Sequence, residues 1–145
     1  MLKKVKSFTL VELIIVVIIV GILAALGLTQ YSTLVEKSRL AEARVRIGTM
    51  RQLAHEYYLN NGDMTSMQNA DVGVDGACHT TDFYAYNMLV KSSTRVEFAA
   101  FRCSTGGKPP NVTRRYYYYM TYYPSTGQTS WSCNYPDDGS PCPGF

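Results

Sequence analysis

Apolar residues are spread unevenly along the 145-residue chain, and their spacing changes twice. From Leu10 to Leu28 they form a nearly unbroken run of Leu, Ile, Val and Ala, interrupted by Glu12 and by the glycines Gly21 and Gly27. A run of about 20 such residues is long enough to span a bilayer as a helix. From Thr29 to Tyr58 there is no proline, and the apolar positions thin out. Leu40, Ala43, Ile47, Met50, Ala54 and Tyr57 recur at spacings of three and four, the period of a helix with one apolar stripe. A second, weaker stripe holds Tyr31, Leu34, Ala41 and Val45. Asn60-Asn61-Gly62 is a helix stop. The helix is therefore predicted in two parts, a greasy half over 8–28 and an amphipathic half over 29–60.

Past residue 61 the period shortens to two. Residues 62–82 are rich in Gly, Asp, Asn, Ser and Thr and are predicted to be a loop. Phe83–Leu89 and Val96–Cys103 read as strands around a turn at 90–95, which sets Asp82 opposite Cys103. Ser104–Val112 is a Gly/Pro-rich loop. Tyr116–Tyr123 and Gln128–Tyr135 flank Pro124-Ser125-Thr126-Gly127, a good turn. Simple antiparallel register then pairs Met120 with Trp131 and Tyr118 with Cys133. One face carries Tyr116, Tyr118, Met120, Tyr122, Trp131, Cys133 and Tyr135, and reads as core. The other carries Tyr117, Tyr119, Thr121, Tyr123, Ser130, Ser132 and Asn134, and reads as wetter. The fold class is α+β: a long N-terminal α-helix packed on a small antiparallel β-sheet of about four strands, with residues 61–145 as the head.

Charge and cysteine usage narrow the setting. Three of the 14 basic residues, Lys3, Lys4 and Lys6, precede Phe8, and the remaining 11 match the 11 acidic ones. A chain that is near neutral outside its first residues does not concentrate basic charge as nucleic-acid binders do, so no nucleic acid is expected. It does suit close packing against copies of itself. The four cysteines, Cys78, Cys103, Cys133 and Cys142, lack the spacing of a zinc site and suggest two disulfides in an oxidising compartment. Four cysteines allow three connectivities. The strand layout favours Cys78–Cys103 at the base of the first hairpin and Cys133–Cys142 across the C-terminal loop.

Glu12 is the residue that a plain membrane anchor leaves unexplained. A carboxylate inside an apolar span costs a few kcal/mol and calls for a cationic partner. Ser7-Phe8-Thr9-Leu10-Val11-Glu12-Leu13, after a short basic leader and before the apolar run, resembles the class III signal of type IV pilins and pseudopilins. Two positions depart from the family pattern: Ser7 stands where glycine is usual, and Thr29 about where proline is usual. The resemblance implies the type IV pilin fold, with residues 1–7 as a leader. It implies a prepilin peptidase that cuts between Ser7 and Phe8 and methylates the new amine. Phe8 and Glu12 are then the assembly residues, the Glu12 carboxylate pairing with the Phe8 amine of a neighbouring copy. The second apolar stripe faces neighbouring subunits.

The remaining candidate chemistry is thin. Twelve tyrosines, six within 116–123, follow from the aromatic preference of strands. Tyr117, Tyr119 and Tyr123, on the wetter face, are where a surface contact is to be sought. Asp137 and Asp138 fall far short of a calcium-binding pattern, and no metal is expected. His55 beside Glu56, and His79 beside Cys78, have no spaced partners for catalysis. No nucleophile elbow or phosphate loop occurs. Asn111-Val112-Thr113 matches the N-glycosylation triplet and carries little weight. Arg39, Arg44, Arg46 and Arg51 are read as a solvated basic face, and Glu42 as a local partner of Arg46.

The expected function is structural, without catalysis or cofactor: a subunit that builds a type IV pilus-like filament with copies of itself. It resides in the inner membrane before assembly and in an extracellular pilus after it, and engages the pilus or secretion assembly machinery. The alternatives are a type II secretion pseudopilin, which would remain periplasmic, and a minor pilin or membrane-tethered binding module.

Overall fold

A computed structural model of the protein describes residues 9–142, except for the side chains of Leu28, Thr29, Ser32 and Thr33. The elements in order are α1 (Leu10–Asn61), a 3-10 turn (Asn69–Val72), β1 (Tyr84–Lys91), β2 (Val96–Arg102), β3 (Tyr117–Tyr123) and β4 (Gln128–Asn134). The chain divides into two compact units, one ending at Glu36 and one comprising Lys37–Phe145. In the first unit the helical backbone runs through Gly27 and Thr29 without a break. Glycine lowers helix propensity, and here it does not end the helix.

In the second unit the four strands form one antiparallel sheet in the order β1-β2-β3-β4. The amphipathic half of α1 covers its apolar face. Leu40, Ala43, Ile47, Met50 and Ala54 are all buried, in one core with Tyr84, Met88, Val96, Phe98, Ala100, Tyr118, Met120 and Tyr122. The helix ends where Gly62 adopts φ 74°, a left-handed conformation open to glycine, with its N–H bonded to Tyr58 O at 2.7 Å.

The arginines differ from the reading as a solvated face. At about 100° per residue, Arg39 and Arg46 fall on one flank of the apolar stripe and Arg44 and Arg51 on the other. Each then reaches down to the head. Arg39 lies 4.7 Å from the Phe83 ring centroid. Arg44 lies 5.6 Å from both Tyr118 and Trp131, and Arg51 5.8 Å from Tyr122. Arg44 Nε also donates to Tyr118 Oη. Arg46 does not serve Glu42; its Nη2 donates to Gly73 O at 2.7 Å. Aromatic faces attract cations at this range, so the arginines line the seam between helix and head.

The second hairpin has the expected register, with Met120 opposite Trp131 and Tyr118 opposite Cys133. Gly127 closes its turn with φ 71° and donates its N–H to Tyr123 O at 2.8 Å. The first hairpin corrects the expectation by one residue. Tyr84 pairs with Arg102 and Met88 with Phe98, and the register then shifts between Met88 and Val90. Phe83, not Asp82, meets Cys103, whose N–H bonds Phe83 O at 3.0 Å. The turn is shorter than the expected 90–95, with Lys91 paired to Val96, and the bulge then takes back one residue of the difference, which simple turn counting does not reveal. The polar loop at 62–82 also hides core: Met64, Met67 and Val72 are 0%, 0% and 1% exposed.

Two disulfides hold the irregular segments, Cys78–Cys103 and Cys133–Cys142. Gly107 packs so closely on the first that an added Cβ would lie 2.4 Å from Cys103 Cβ. Asn134 bridges Pro141, and Tyr135 N–H bonds Ser140 O at 2.8 Å, closing the C-terminal loop on β4.

Ile47 is fully buried whereas Val45 is 73% exposed, two residues away on the same helix. Ile47→Ala is expected to destabilise the head by about 2–5 kcal/mol. Val45→Ala should change stability by less than about 0.5 kcal/mol. Urea unfolding of the full chain in detergent, followed by Trp131 fluorescence, measures both; equal midpoints for the two variants would contradict this packing.

Candidate functional site

The apolar segment Leu10–Gly27 is long and apolar enough to cross a membrane, and none of it is buried among the described residues. Its side chains are exposed on every side, from Leu10 at 74% to Leu26 at 64%. A helix that is hydrophobic all round belongs inside a membrane or an assembly.

Glu12 sits in the first turn of α1. Its carboxylate Oε2 accepts both the Thr9 N–H and the Thr9 hydroxyl at 2.8 Å, while Glu12 N–H donates to Thr9 Oγ1 at 3.3 Å. This is a reciprocal capping box, in which two otherwise free N–H groups at the helix start are satisfied. Sequence reasoning assigned Glu12 to assembly and missed this local role. The signal was present: Thr9-Leu10-Val11-Glu12 is a Thr followed three residues later by Glu, ahead of an apolar run. Ser7 and Phe8 lie outside the described residues.

On the outer face of the sheet, the Tyr117 and Tyr119 rings stack 5.4 Å apart, and Phe101 lies 5.6 Å from Tyr117. Tyr123 is two residues further, at the end of β3 beside the turn, and is not in that row. The structure thus brings two of the three surface tyrosines together and leaves the third apart. On the inner side Tyr84 Oη meets Tyr116 Oη at 2.9 Å, and Tyr122 Oη meets His55 Nδ1 at 2.7 Å. His79 Nε2 lies 2.8 Å from the Asp75 carboxylate. Among the described residues no group of three or more His, Cys, Asp or Glu side chains is arranged to hold a metal.

The acidic pair in the C-terminal loop has a different occupation. Arg114 reaches Asp137 at 3.2 Å and Asp138 at 2.8 Å, with its guanidinium 3.8 Å over the Tyr135 ring. The Ser140 hydroxyl and N–H donate to Asp138, and with Arg114 they hold its carboxyl down to about 2. Sequence reasoning also missed Arg102, which is fully buried and donates to Phe83 O at 3.1 Å and Pro110 O at 2.8 Å. A charged residue at an inward strand position gave no periodic signal.

Residues 2–28 match the family model of the prokaryotic N-terminal methylation motif, which contains Ser7, Phe8 and Glu12. The chain is 37% identical to the fimbrial protein EcpC of Eikenella corrodens over 108 residues, covering 73% of this chain and 69% of that protein. The chain belongs to the type IV pilin family. It is also 37% identical over 87 residues to a fimbrial protein of Neisseria meningitidis serogroup A, covering 60% of this chain and 51% of that one. A protein of Neisseria gonorrhoeae named type IV major pilin protein PilE is 34% identical, over 60% of this chain and 52% of its own length. The alignments with the two Neisseria chains therefore span about half of each relative. In this pilin, the matched motif ends at residue 28, and the amphipathic half of the helix was predicted to begin at 29.

The depressed Asp138 makes the C-terminal clasp of this pilin acid-sensitive. Its carboxylate contributes stability above its unfolded value near 3.8, and loses that contribution as pH falls towards about 2. Wild type should therefore be more stable than Asp138→Asn at pH 5, with the difference vanishing by about pH 2. Unfolding midpoints of both chains across that range test this; a pH-independent difference would be inconsistent with it.

Proposed function

We propose that this chain is a structural subunit of a type IV pilus-like filament. The observation that carries the reading is the fully exposed apolar segment Leu10–Gly27, with a single carboxylate at its start, inside a methylation motif. Such a segment is stable in two surroundings, a bilayer or the core of a bundle of like helices. Moving from one to the other keeps its apolar surface away from water. No catalytic role is assigned; the relatives named above are fimbrial and pilin proteins.

Processing in this reading starts at the inner membrane. A prepilin peptidase hydrolyses the Ser7–Phe8 peptide bond and frees the Phe8 amine. An electrophilic methyl donor then replaces one proton of that amine with a methyl group, and the nitrogen remains protonated and cationic at neutral pH. The Glu12 carboxylate, held by its own Thr9 in the free subunit, pairs with the Phe8 ammonium of a neighbouring copy in the filament. A carboxylate in an apolar assembly is tolerated when a cation and hydrogen bonds compensate it. The assembled filament leaves the inner membrane as an extracellular pilus.

Sheared filaments should contain, as their main protein, a chain beginning at methylated Phe8 and lighter than the reduced form by the four hydrogens of two disulfides. Intact mass and N-terminal sequencing read both. A full-length chain from Met1, held in the membrane and missing from filaments, would overturn the proposal. Glu12→Ala should leave the subunit in the membrane but abolish or strongly reduce the filament yield; normal yield would remove Glu12 from assembly.

A further inference from the structure

Between α1, the 70–79 loop and the start of β1 lies a half-open groove of about 870 Å³. Its charged and phenolic lining is Glu42, Arg46, Asp75, His79, Asp82, Tyr84 and Tyr86. The two basic groups are already engaged, Arg46 with Gly73 O at 2.7 Å and His79 with Asp75 at 2.8 Å. The Glu42 and Asp82 carboxylates have no partner among the described residues. The Tyr86 phenol is pushed well above its ordinary value, first by burial and then by the Glu42 charge, as expected of a site with negative potential. The groove is thus a negatively charged cleft with a phenol in its wall.

The cation that complements it is on the same chain, across the sheet. Among the described residues two exposed basic side chains have no partner, Lys37 and Arg115. Arg115 immediately precedes Tyr116 and β3, which is separated from β1 by β2. Its neighbour Arg114 is neutralised by Asp137 and Asp138. A guanidinium suits this cleft better than an ammonium, because its planar fork serves two carboxylates and stacks on a phenol ring.

We propose that the groove receives the Arg115 guanidinium of a second copy of this chain, among the Glu42 and Asp82 carboxylates and beside Tyr86. This rests on the filament reading above and adds a contact between heads to the contact between helices. Arg115 is not among the residues that line the groove, so the contact joins two different patches of the head. Made head to tail, such a contact leaves a free groove and a free arginine for the next copy, and builds an open helical array when the rotation between copies does not close a ring.

The test uses the full-length chain expressed in cells that assemble it. Sheared filament yield is measured per subunit in the membrane, beginning with wild type. Arg115→Glu should lower the yield roughly tenfold, since a like charge enters the groove. Adding Asp82→Arg to that variant should restore most of it, because the swapped charges attract again. Lys37→Glu should leave the yield unchanged. Normal yield from Arg115→Glu, or no recovery in the double variant, overturns this docking while leaving the filament proposal standing. A loss seen with Lys37→Glu and not with Arg115→Glu also overturns it. Absence of filaments from wild type itself would instead refute the filament reading.

Discussion

The sheet has one apolar face, and one helix must cover it. Ala43, Ile47, Met50 and Ala54, all fully buried, are the contact on which the head depends. Two large residues lie between two alanines along this stripe. The sheet answers with tyrosines: Tyr84, Tyr116, Tyr118 and Tyr122 are all nearly fully buried. A buried phenol needs a hydrogen-bond partner. Each of these finds one at the margin of the core, in another tyrosine, in His55 or in Arg44. Arg44 and Arg51, flanking the stripe, add cation–π contacts with Tyr118 and Tyr122. The seam between helix and head is therefore apolar at its centre and polar along its flanks.

The segments that lack periodic burial are held by other means. The 62–82 loop is anchored by Met64, Met67 and Val72 in the core and by the Cys78–Cys103 bond. The 104–112 loop lies over buried Arg102, which donates to Pro110 O, and its Gly107 fits against the same disulfide. The C-terminal loop combines the Cys133–Cys142 bond with the Arg114 clasp. Cross-links of this kind act largely by restricting the unfolded chain, and a small domain with one helix and four strands gains from them.

The two ends of α1 solve different problems with the same backbone. Near Leu10 the first turn satisfies its own N–H groups through Thr9 and Glu12. Near Asn61 the helix is packed on the sheet, and a left-handed glycine releases the chain into the head. A carboxylate that is hydrogen-bonded within its own helix carries a smaller desolvation penalty in apolar surroundings, because it is not bare.

What the amino-acid order determined alone was whatever depends on near neighbours. Helix span, apolar stripe, stop at Gly62 and the β3–β4 register all follow from local period and turn chemistry, because side chains three, four or two residues apart are neighbours whatever the rest of the chain does. The methylation motif is likewise a continuous segment. Tertiary structure alone decided the bulge after Met88, the burial of Met64, Met67 and Val72, the partners of the arginines, the buried Arg102 and the acidic groove. Most of these depend on groups far apart in sequence, as Asn69 is from Asn87 in the pair that ties the loop to β1. Only the packed core sets such distances, and neither period nor composition encodes them directly.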